Sequence, residues 1–395
     1  MEATRKARIN SIDLLRGVVI ILMALDHVRM YFGQGSLYAD PTDLSATTPL
    51  LFLTRWITHF CAPVFIFLAG TSAYLYGTRQ HTTREVSRYV LTRGLWLIFL
   101  ELVIVNFGWT FDITFSYRFL QVIWAIGFSM VVLAFLVYLP TWAIFAFGII
   151  LVFGHNLLDP IQMEGTTAPA VIWYILHQKE TVIFSPNVIV NFVYPLIPLV
   201  GLIAIGYVFG ALYLPGFDAG KRRKWLLWTG MAAILSFLIL RGFNLYGDPH
   251  PWSPQPTPVN SFLSFLNTTK YPTSLQFLFM TIGPALVFLA LMEGIKNRIT
   301  ETVLAFGRVS LFFYIVHIYI IHFLALVALA ISGWSWTEYI FTAGAYLSKN
   351  LADFGFDLYV VYLVWVLVML VMYPLSVWFR TYKKGHPEVY LLKYI

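Results

Sequence analysis

Long apolar runs alternate with short polar segments along almost the whole chain. Ten runs are visible, over residues 12–32, 50–76, 93–109, 118–139, 141–155, 191–213, 225–241, 274–293, 308–331 and 357–379. A helix needs about 20 apolar residues to cross the hydrocarbon core of a bilayer. The pattern therefore predicts an all-α, polytopic transmembrane bundle of about ten or eleven helices.

Composition agrees with a membrane protein rather than a soluble one. Of 395 residues, 59% are hydrophobic and only 11% are charged, whereas soluble domains carry about 25% charged residues. No composition shift marks a separate soluble domain. We expect a single transmembrane domain over residues 1–395, with residues 381–395 as a cytoplasmic tail.

The basic residues predict the orientation of this bundle. Under a ten-span arrangement, 18 of the 26 lysines and arginines fall on one side of the membrane. The positive-inside rule makes that side cytoplasmic, with both termini inside. We expect a multi-pass protein of a bacterial cytoplasmic membrane whose basic loops contact lipid headgroups, and no nucleic-acid partner. The 18 residues are Arg5, Lys6, Arg8, Arg79, Arg84, Arg88, Arg93, Lys221, Arg222, Arg223, Lys224, Lys296, Arg298, Arg308, Arg380, Lys383, Lys384 and Lys393.

The first apolar run carries four ionisable residues that stand out in a membrane helix: Asp13, Arg16, Asp26 and His27. Arg16 and His27 are eleven residues apart, which is three helical turns, so both lie on one face about 16 Å apart. Asp26 points about 100° away from His27. Charged groups inside a membrane are costly and are usually paired and functional. The alternative is a structural ion pair between neighbouring helices.

Further polar residues collect at the outer ends of the predicted helices. Together they predict an outward-facing chamber around His27. The alternative for each residue is a structural role, either as an anchor at the lipid headgroups or as an interior side chain with its hydrogen bonds satisfied by the protein. The candidate chamber residues are Arg55, His59, Arg241, Asn244, Lys270, Tyr271 and His317.

The spacing of histidines and cysteines favours no metal site. The chain has one cysteine, Cys61, and no HExxH motif. A zinc site built from His27, His59 and His317 is the weak alternative. We therefore expect no metal cofactor.

Six stretches resemble the catalytic-domain family of heparan-α-glucosaminide N-acetyltransferase. The resemblance covers residues 8–380, and the Arg16-x10-His27 spacing also resembles the wider transmembrane acyltransferase superfamily. The chain is similar to a short, bacterial-type member of the family. The stretches are RINSIDLLRGVVIILMALDHVRMYF, RWITHFCAPVFIFLAGTSAYL, YPLIPLVGLIAIGYVFG, RGFNLYGDPHPW, NTTKYPTSLQFLFMTIGPAL and GRVSLFFYIVHIYIIH.

The resemblance implies transfer of an acetyl group from cytoplasmic acetyl-CoA to a sugar amine or hydroxyl on the far side. A periplasmic or envelope saccharide is the expected acceptor. His27 suits a general base at neutral pH, with Asp26 or a facing carboxylate orienting it. Arg16 or Arg55 suits a developing oxyanion, and Arg16 is expected to serve the same cavity as His27, three turns below it. The anionic phosphates of CoA are expected near Arg84, Arg88, Arg93 and Arg222.

Two other function classes remain open at this stage. One is a transporter with Asp13, Arg16, Asp26 and His27 as a proton or ion relay, although no inverted repeat is visible. The other is a non-catalytic membrane protein that keeps only the fold. The sequence does not identify the acceptor, the acyl group, a direct or a two-step mechanism, or the oligomeric state.

Overall fold

The structure is a computed structural model that describes residues 9–78, 81–389 and 392. Most of the described chain is helical, and its strands form one small sheet, which confirms the predicted all-α class. Five of the basic residues used for orientation lie outside the described ranges: Arg5, Lys6, Arg8, Arg79 and Lys393.

Ten helical segments of the described chain follow the ten apolar runs. Two of them bend at a short irregular turn, Thr58–Phe60 in the second and the π-helical turn Glu101–Val105 in the third. The segments are α1 (Asn10–Phe32), α2 with α3 (Pro49–Ile57 and Cys61–Gly77), α4 with α5 (Thr83–Leu100 and Asn106–Thr110), α6 (Val122–Leu136), α7 (Thr141–Gly154), α9 (Ile197–Phe209), α10 (Ala219–Gly242), α12 (Leu275–Leu291), α14 (Ser310–Ile331) and α16 (Leu358–Gly385).

Six of the described segments are long and apolar enough to cross a membrane by length and composition. Three shorter apolar helices, α6, α9 and α12, accompany them. The one remaining segment, α1, has 23 residues, but it carries the charged residues Asp13, Arg16, Asp26 and Arg29. Helices of this kind characterise an integral membrane protein. The number of crossings and their direction stay predictions.

The remaining elements lie between these segments. Apart from single 3₁₀ turns, the described chain has four short helices and three strands there. They are α8 (Ala168–Leu176), α11 (Pro258–Leu266), α13 (Arg298–Gly307), α15 (Ala343–Ser348), β1 (Tyr117–Leu120), β2 (Glu180–Ser185) and β3 (Val188–Phe192).

The small sheet corrects two predicted helix starts. β1 pairs in parallel with β3, and β3 pairs antiparallel with β2 across a tight turn at Pro186. The runs 118–139 and 191–213 therefore begin as strand and become helical only at Val122 and Ile197. An apolar run alone does not separate a buried strand from a helix, and the aromatic residues of β1 and the β-branched residues of β3 favour the strand.

The helix α1 lies inside the bundle and packs against α3, α13, α14 and α16. It approaches α13 closely, because a Cβ atom on Gly307 would overlap the backbone oxygen of Asp13. Glycine permits this backbone contact where any side chain would push the helices apart. The contact holds the first turns of α1 in a fixed position inside the bundle.

The two ends of the bundle differ in character, and we name them accordingly. The basic end holds the start of α1, the end of α3, the start of α4 and the end of α16; the loop end holds the end of α1 and the sheet. The last helix reaches Gly385, so the predicted tail 381–395 begins as helix rather than as a separate segment. Lys383 is therefore held on α16 at the basic end.

Candidate active site

A cavity of about 590 Å³ lies at the loop end, between the end of α1, the bend from α2 to α3, and the loop 267–271. His27 lines this cavity. Four of the candidate chamber residues line it as well: Arg55, His59, Lys270 and Tyr271.

His27 forms a hydrogen-bonded pair with His317, which is fully buried on α14. The Nδ1 atom of His27 lies 2.8 Å from the Nε2 atom of His317, and the two rings are stacked with their centroids 5.0 Å apart. The edge of Trp109 packs against His27, with ring centroids 4.8 Å apart. The stacked and edge contacts leave the His27 ring little freedom to rotate.

The backbone fixes the proton positions in this pair when both rings are neutral. The Nδ1 atom of His317 lies 2.8 Å from the carbonyl oxygen of Phe313, which can only accept a hydrogen bond. Nδ1 of His317 therefore carries the proton, and Nε2 of His317 accepts the Nδ1–H of His27. The Nε2 atom of His27 is then left with a lone pair, as a general base requires.

Asp26 takes different partners from the ones expected. Its carboxylate accepts hydrogen bonds from Arg55 and from Arg29, the latter with Nη2 to Oδ1 at 3.0 Å. The partner that orients His27 is thus His317 and not Asp26. The expectation that Asp26 orients His27 is corrected, because successive helix positions point about 100° apart.

Lys270 and Tyr271 form the opposite wall of the cavity. The Nζ atoms of Lys270 and Lys179 lie 5.1 Å and 5.2 Å from the centre of the Tyr271 ring, and the Tyr271 hydroxyl donates to Tyr194 at 3.4 Å. Burial raises the pKa of Tyr271, but Lys270 and Arg55 together lower it below its ordinary value. These cations therefore favour negative charge in this part of the cavity.

His59 lines the same cavity from the bend between α2 and α3. The residue is buried, and its ring centroid lies 5.2 Å from that of Phe277. Among the described residues its Nδ1 atom has no hydrogen-bond partner. A buried polar atom normally has one, so His59 is available to a bound molecule.

Three predicted chamber residues do not line the cavity. The first, His317, is the buried hydrogen-bond partner of His27. Arg241 is buried and donates to the backbone oxygens of Ser264, Phe265, Asn267 and His250, which fastens the loop after α11. Asn244 closes its own loop by two hydrogen bonds with the backbone of Trp252. Arg241 lies in the last turn of α10 and Asn244 lies two residues after its end, where the chain is free to turn away from the bundle axis.

A second cavity, of about 290 Å³, lies at the basic end. No carboxylate stands among its described lining residues, whereas four cationic side chains do: Arg16, Arg93, Arg308 and Lys383. Arg16 is held by Asp13 at 3.2 Å and by a hydrogen bond to Ser72. The expectation that Arg16 serves the same cavity as His27 is corrected, because the three turns between them place it on the other side.

The predicted CoA-binding residues divide in two groups. Arg93 lines the basic-end cavity, but Arg84 and Arg88 are exposed on the first turns of α4, and Arg222 pairs with Glu293. Arg308 ends the loop 296–308, one of three basic loops, with 79–93 and 221–224, where the sequence predicts the phosphates. Sequence reasoning missed Lys383, although it is a basic residue just after an apolar run.

The two cavities meet in the middle of the bundle. Met23, Phe65 and Val122 line both of them. Met23 is one turn before His27 on the same face of α1. Three apolar side chains thus separate the basic pocket from the histidine pair.

The sequence matches the family model described as heparan-alpha-glucosaminide N-acetyltransferase, catalytic, over residues 8–243. The chain belongs to this family. The heparan-α-glucosaminide N-acetyltransferase family implies a membrane acetyltransferase with an acyl donor and a saccharide acceptor, and supports an integral membrane protein. No curated protein matches the chain significantly. The matched part includes His27, Arg55 and Arg93 and ends before Lys270 and His317.

Proposed function

We propose that this protein is a CoA-dependent membrane acyltransferase that moves an acetyl group from cytoplasmic acetyl-CoA to a saccharide hydroxyl or amine on the opposite side. The observation that carries the proposal is the His27–His317 pair, which faces a large cavity at one end while a basic cavity approaches it from the other. Family membership supports the acetyl chemistry.

His27 acts as the base in this proposal. Its Nε2 atom takes the proton of the acceptor hydroxyl or amine, whose electron pair forms the new bond to the acetyl carbon. The carbon–sulfur bond then breaks, the electron pair stays on sulfur, and the proton on His27 passes to the thiolate. Transfer through an acetylated His27 would use the same nitrogen, so both orders agree with the geometry.

The charges of the loop-end cavity support stabilisation of a developing oxyanion. Four cationic side chains line the cavity against two carboxylates, Asp26 and Asp40; the cations are Arg29, Arg55, Lys179 and Lys270. Prearranged positive charge of this kind stabilises an oxyanion in a water-poor site. The same excess favours a neutral or anionic acceptor over a protonated amine.

The basic-end cavity is the proposed place for the CoA phosphates. Of its four cations, Arg16 lies on α1 three helical turns below His27, a distance of about 16 Å along the helix. The acyl arm of the donor would pass between Met23, Phe65 and Val122 to reach the histidine pair. Both termini would lie in the cytoplasm, and the loop end would face the outside.

A sided assay tests the proposal. The purified protein is placed in vesicles with acetyl-CoA on the basic-end side and a panel of amino sugars and neutral sugars on the other. We expect acetylated sugar on the acceptor side only. Binding of acetyl-CoA without any transfer across a broad panel, or no binding at all, would contradict an acyltransferase.

The arrangement of two cavities on opposite sides of an apolar constriction also supports the transporter alternative. A transporter would move its substrate through the constriction without chemical change. The same vesicles separate the two functions, because an unmodified sugar found on the other side indicates transport, and an acetylated sugar indicates transfer.

A further inference from the structure

A second group of ligand-type side chains lies at the loop end, outside both cavities. His155 follows the end of α7, Asp159 comes one turn later, and His177 ends α8. Each residue contributes one nitrogen or oxygen atom, and the three atoms lie within 4.8 Å of one another. The sequence does not show this group as a metal-binding motif, because His177 comes 18 positions after Asp159.

The two histidines are buried with unused nitrogen atoms. His155 is 1% exposed to solvent and His177 is 2% exposed. Among the described residues, neither ring nitrogen of His155 has a hydrogen-bond partner, and Nδ1 of His177 has none. Buried imidazole nitrogens almost always have a partner, so these atoms point to a ligand.

The carboxylate in the group is held in place by its neighbours. Asp159 Oδ2 accepts a hydrogen bond from Asn156 at 2.8 Å, and Oδ1 lies 3.1 Å from Nε2 of His177. Asn156 is fixed in turn by the backbone N–H of Leu275, at 3.1 Å. In metal sites, hydrogen bonds from residues around the ligands hold the ligands in position.

We propose that His155, Asp159 and His177 bind one divalent transition-metal ion of the zinc class. Two imidazoles and one carboxylate are a ligand set that suits Zn²⁺, whereas Mg²⁺ and Ca²⁺ prefer oxygen ligands. Bond lengths of about 2.0–2.1 Å in a tetrahedral site require ligand atoms about 3.4 Å apart. The widest pair, at up to 4.8 Å, would have to close to this distance when the ion binds, through rotation of the imidazole rings.

The ion would connect the end of α7 to the wall of the loop-end cavity. His177 comes two residues before Lys179, whose ammonium lies 5.2 Å from the centre of the Tyr271 ring in that wall. Three protein ligands leave a fourth position for water. Because the site is away from His27, its occupancy does not depend on the acyltransferase proposal.

Direct binding of Zn²⁺ tests the proposal. The full-length protein, purified in detergent without a histidine tag and stripped with a chelator, is titrated with Zn²⁺, and bound metal and the melting temperature Tm are measured. We expect one Zn²⁺ per chain, a rise in Tm, and no rise with Mg²⁺. No retained Zn²⁺ in the stripped and reloaded wild-type protein would overturn the proposal.

Variants locate the ion. His155→Gln, Asp159→Asn and His177→Gln should each weaken Zn²⁺ binding by about 10-fold or more. His386→Gln, a partly exposed histidine at the basic end, is the matched control and should bind as the wild type does. Asp159→Asn keeps the shape of the side chain, so it decides the outcome if a histidine variant fails to fold. Wild-type affinity in all three ligand variants would refute the assignment.

Discussion

The Nδ1 atom of His27 lies 2.8 Å from the Nε2 atom of His317, and this contact joins helices that are 290 residues apart in the chain. The Phe313 carbonyl fixes the proton on the far side of the pair. A backbone oxygen thereby determines which nitrogen of His27 remains free for proton transfer. The catalytic proposal rests on this chain of two hydrogen bonds.

The first prediction concerns His317. His317→Phe keeps a buried ring but removes the acceptor for His27, so His27 is no longer held in one tautomer. We expect the turnover number kcat to fall by about 10²-fold or more while KM changes little. His317→Gln, whose amide oxygen can accept the same hydrogen bond, should recover part of the activity. Wild-type kcat in His317→Phe would show that the pair is structural only.

The second prediction concerns the ion pairs of Asp26. Asp26→Asn removes the carboxylate that pairs with both Arg29, which is buried, and Arg55, which is largely buried. Loss of one partner from a buried ion pair costs about 3–5 kcal/mol. We expect a matching loss in the free energy of unfolding, measured by denaturant titration in detergent.

The control for Asp26 is Asp43→Asn in the exposed loop before α2, where the carboxylate bonds only within its own turn. That variant should unfold like the wild type. The double variant Asp26→Asn with Arg55→Met should be more stable than Asp26→Asn alone. Equal stability of Asp26→Asn and the wild type would mean that the guanidinium groups find other partners.

The third prediction concerns the basic-end cavity. Arg93→Gln and Arg308→Gln each remove a proposed phosphate contact and should raise the Kd for acetyl-CoA about 10- to 100-fold, since hydrogen bonds to charged groups contribute about 1.5–3 kcal/mol. Arg84→Gln and Arg88→Gln are matched controls on the exposed part of the same helix. Calorimetric titration measures all four. An equal effect at Arg84 and Arg93 would place the phosphates outside the cavity.

The fourth prediction concerns the constriction between the cavities. Val122→Trp fills the space between Met23 and Phe65 and should block acetyl transfer. Binding of CoA at the basic end should persist, because the four cations are untouched. Val122→Ile, a smaller change at the same position, should stay active. Transfer at the wild-type rate in Val122→Trp would show that the donor reaches His27 by another route.

The sequence was sufficient to predict the helical class and much of the loop-end cavity. Hydrophobic run lengths predict membrane helices, and alternation of direction brings Arg55, His59 and Lys270 to the end where His27 lies. These inferences need only the order of helices along the chain. They hold because α1 and the segment of α2 with α3 each line both cavities, one at either end of the bundle.

The side-chain contacts within the site could not be predicted, because they depend on how the helices pack and a single sequence does not show helix packing. The partner of His27 follows from how α1 and α14 meet, and Arg241 turned out to hold a loop because its guanidinium reaches four backbone oxygens. The sheet was missed because its aromatic and β-branched residues continue the apolar runs of the following helices, and such a run alone does not separate strand from helix. The group of His155, Asp159 and His177 was missed because a long loop brings its members together.

The most direct test of the central claim is the rate of acetyl transfer by His27→Gln in the sided vesicle assay. General base catalysis contributes about 10²–10⁴-fold, and the account predicts a fall of that size with thermal stabilisation by acetyl-CoA unchanged. His59→Gln, a variant in the same cavity but outside the histidine pair, should fall less. Turnover near the wild-type rate in His27→Gln would contradict the account.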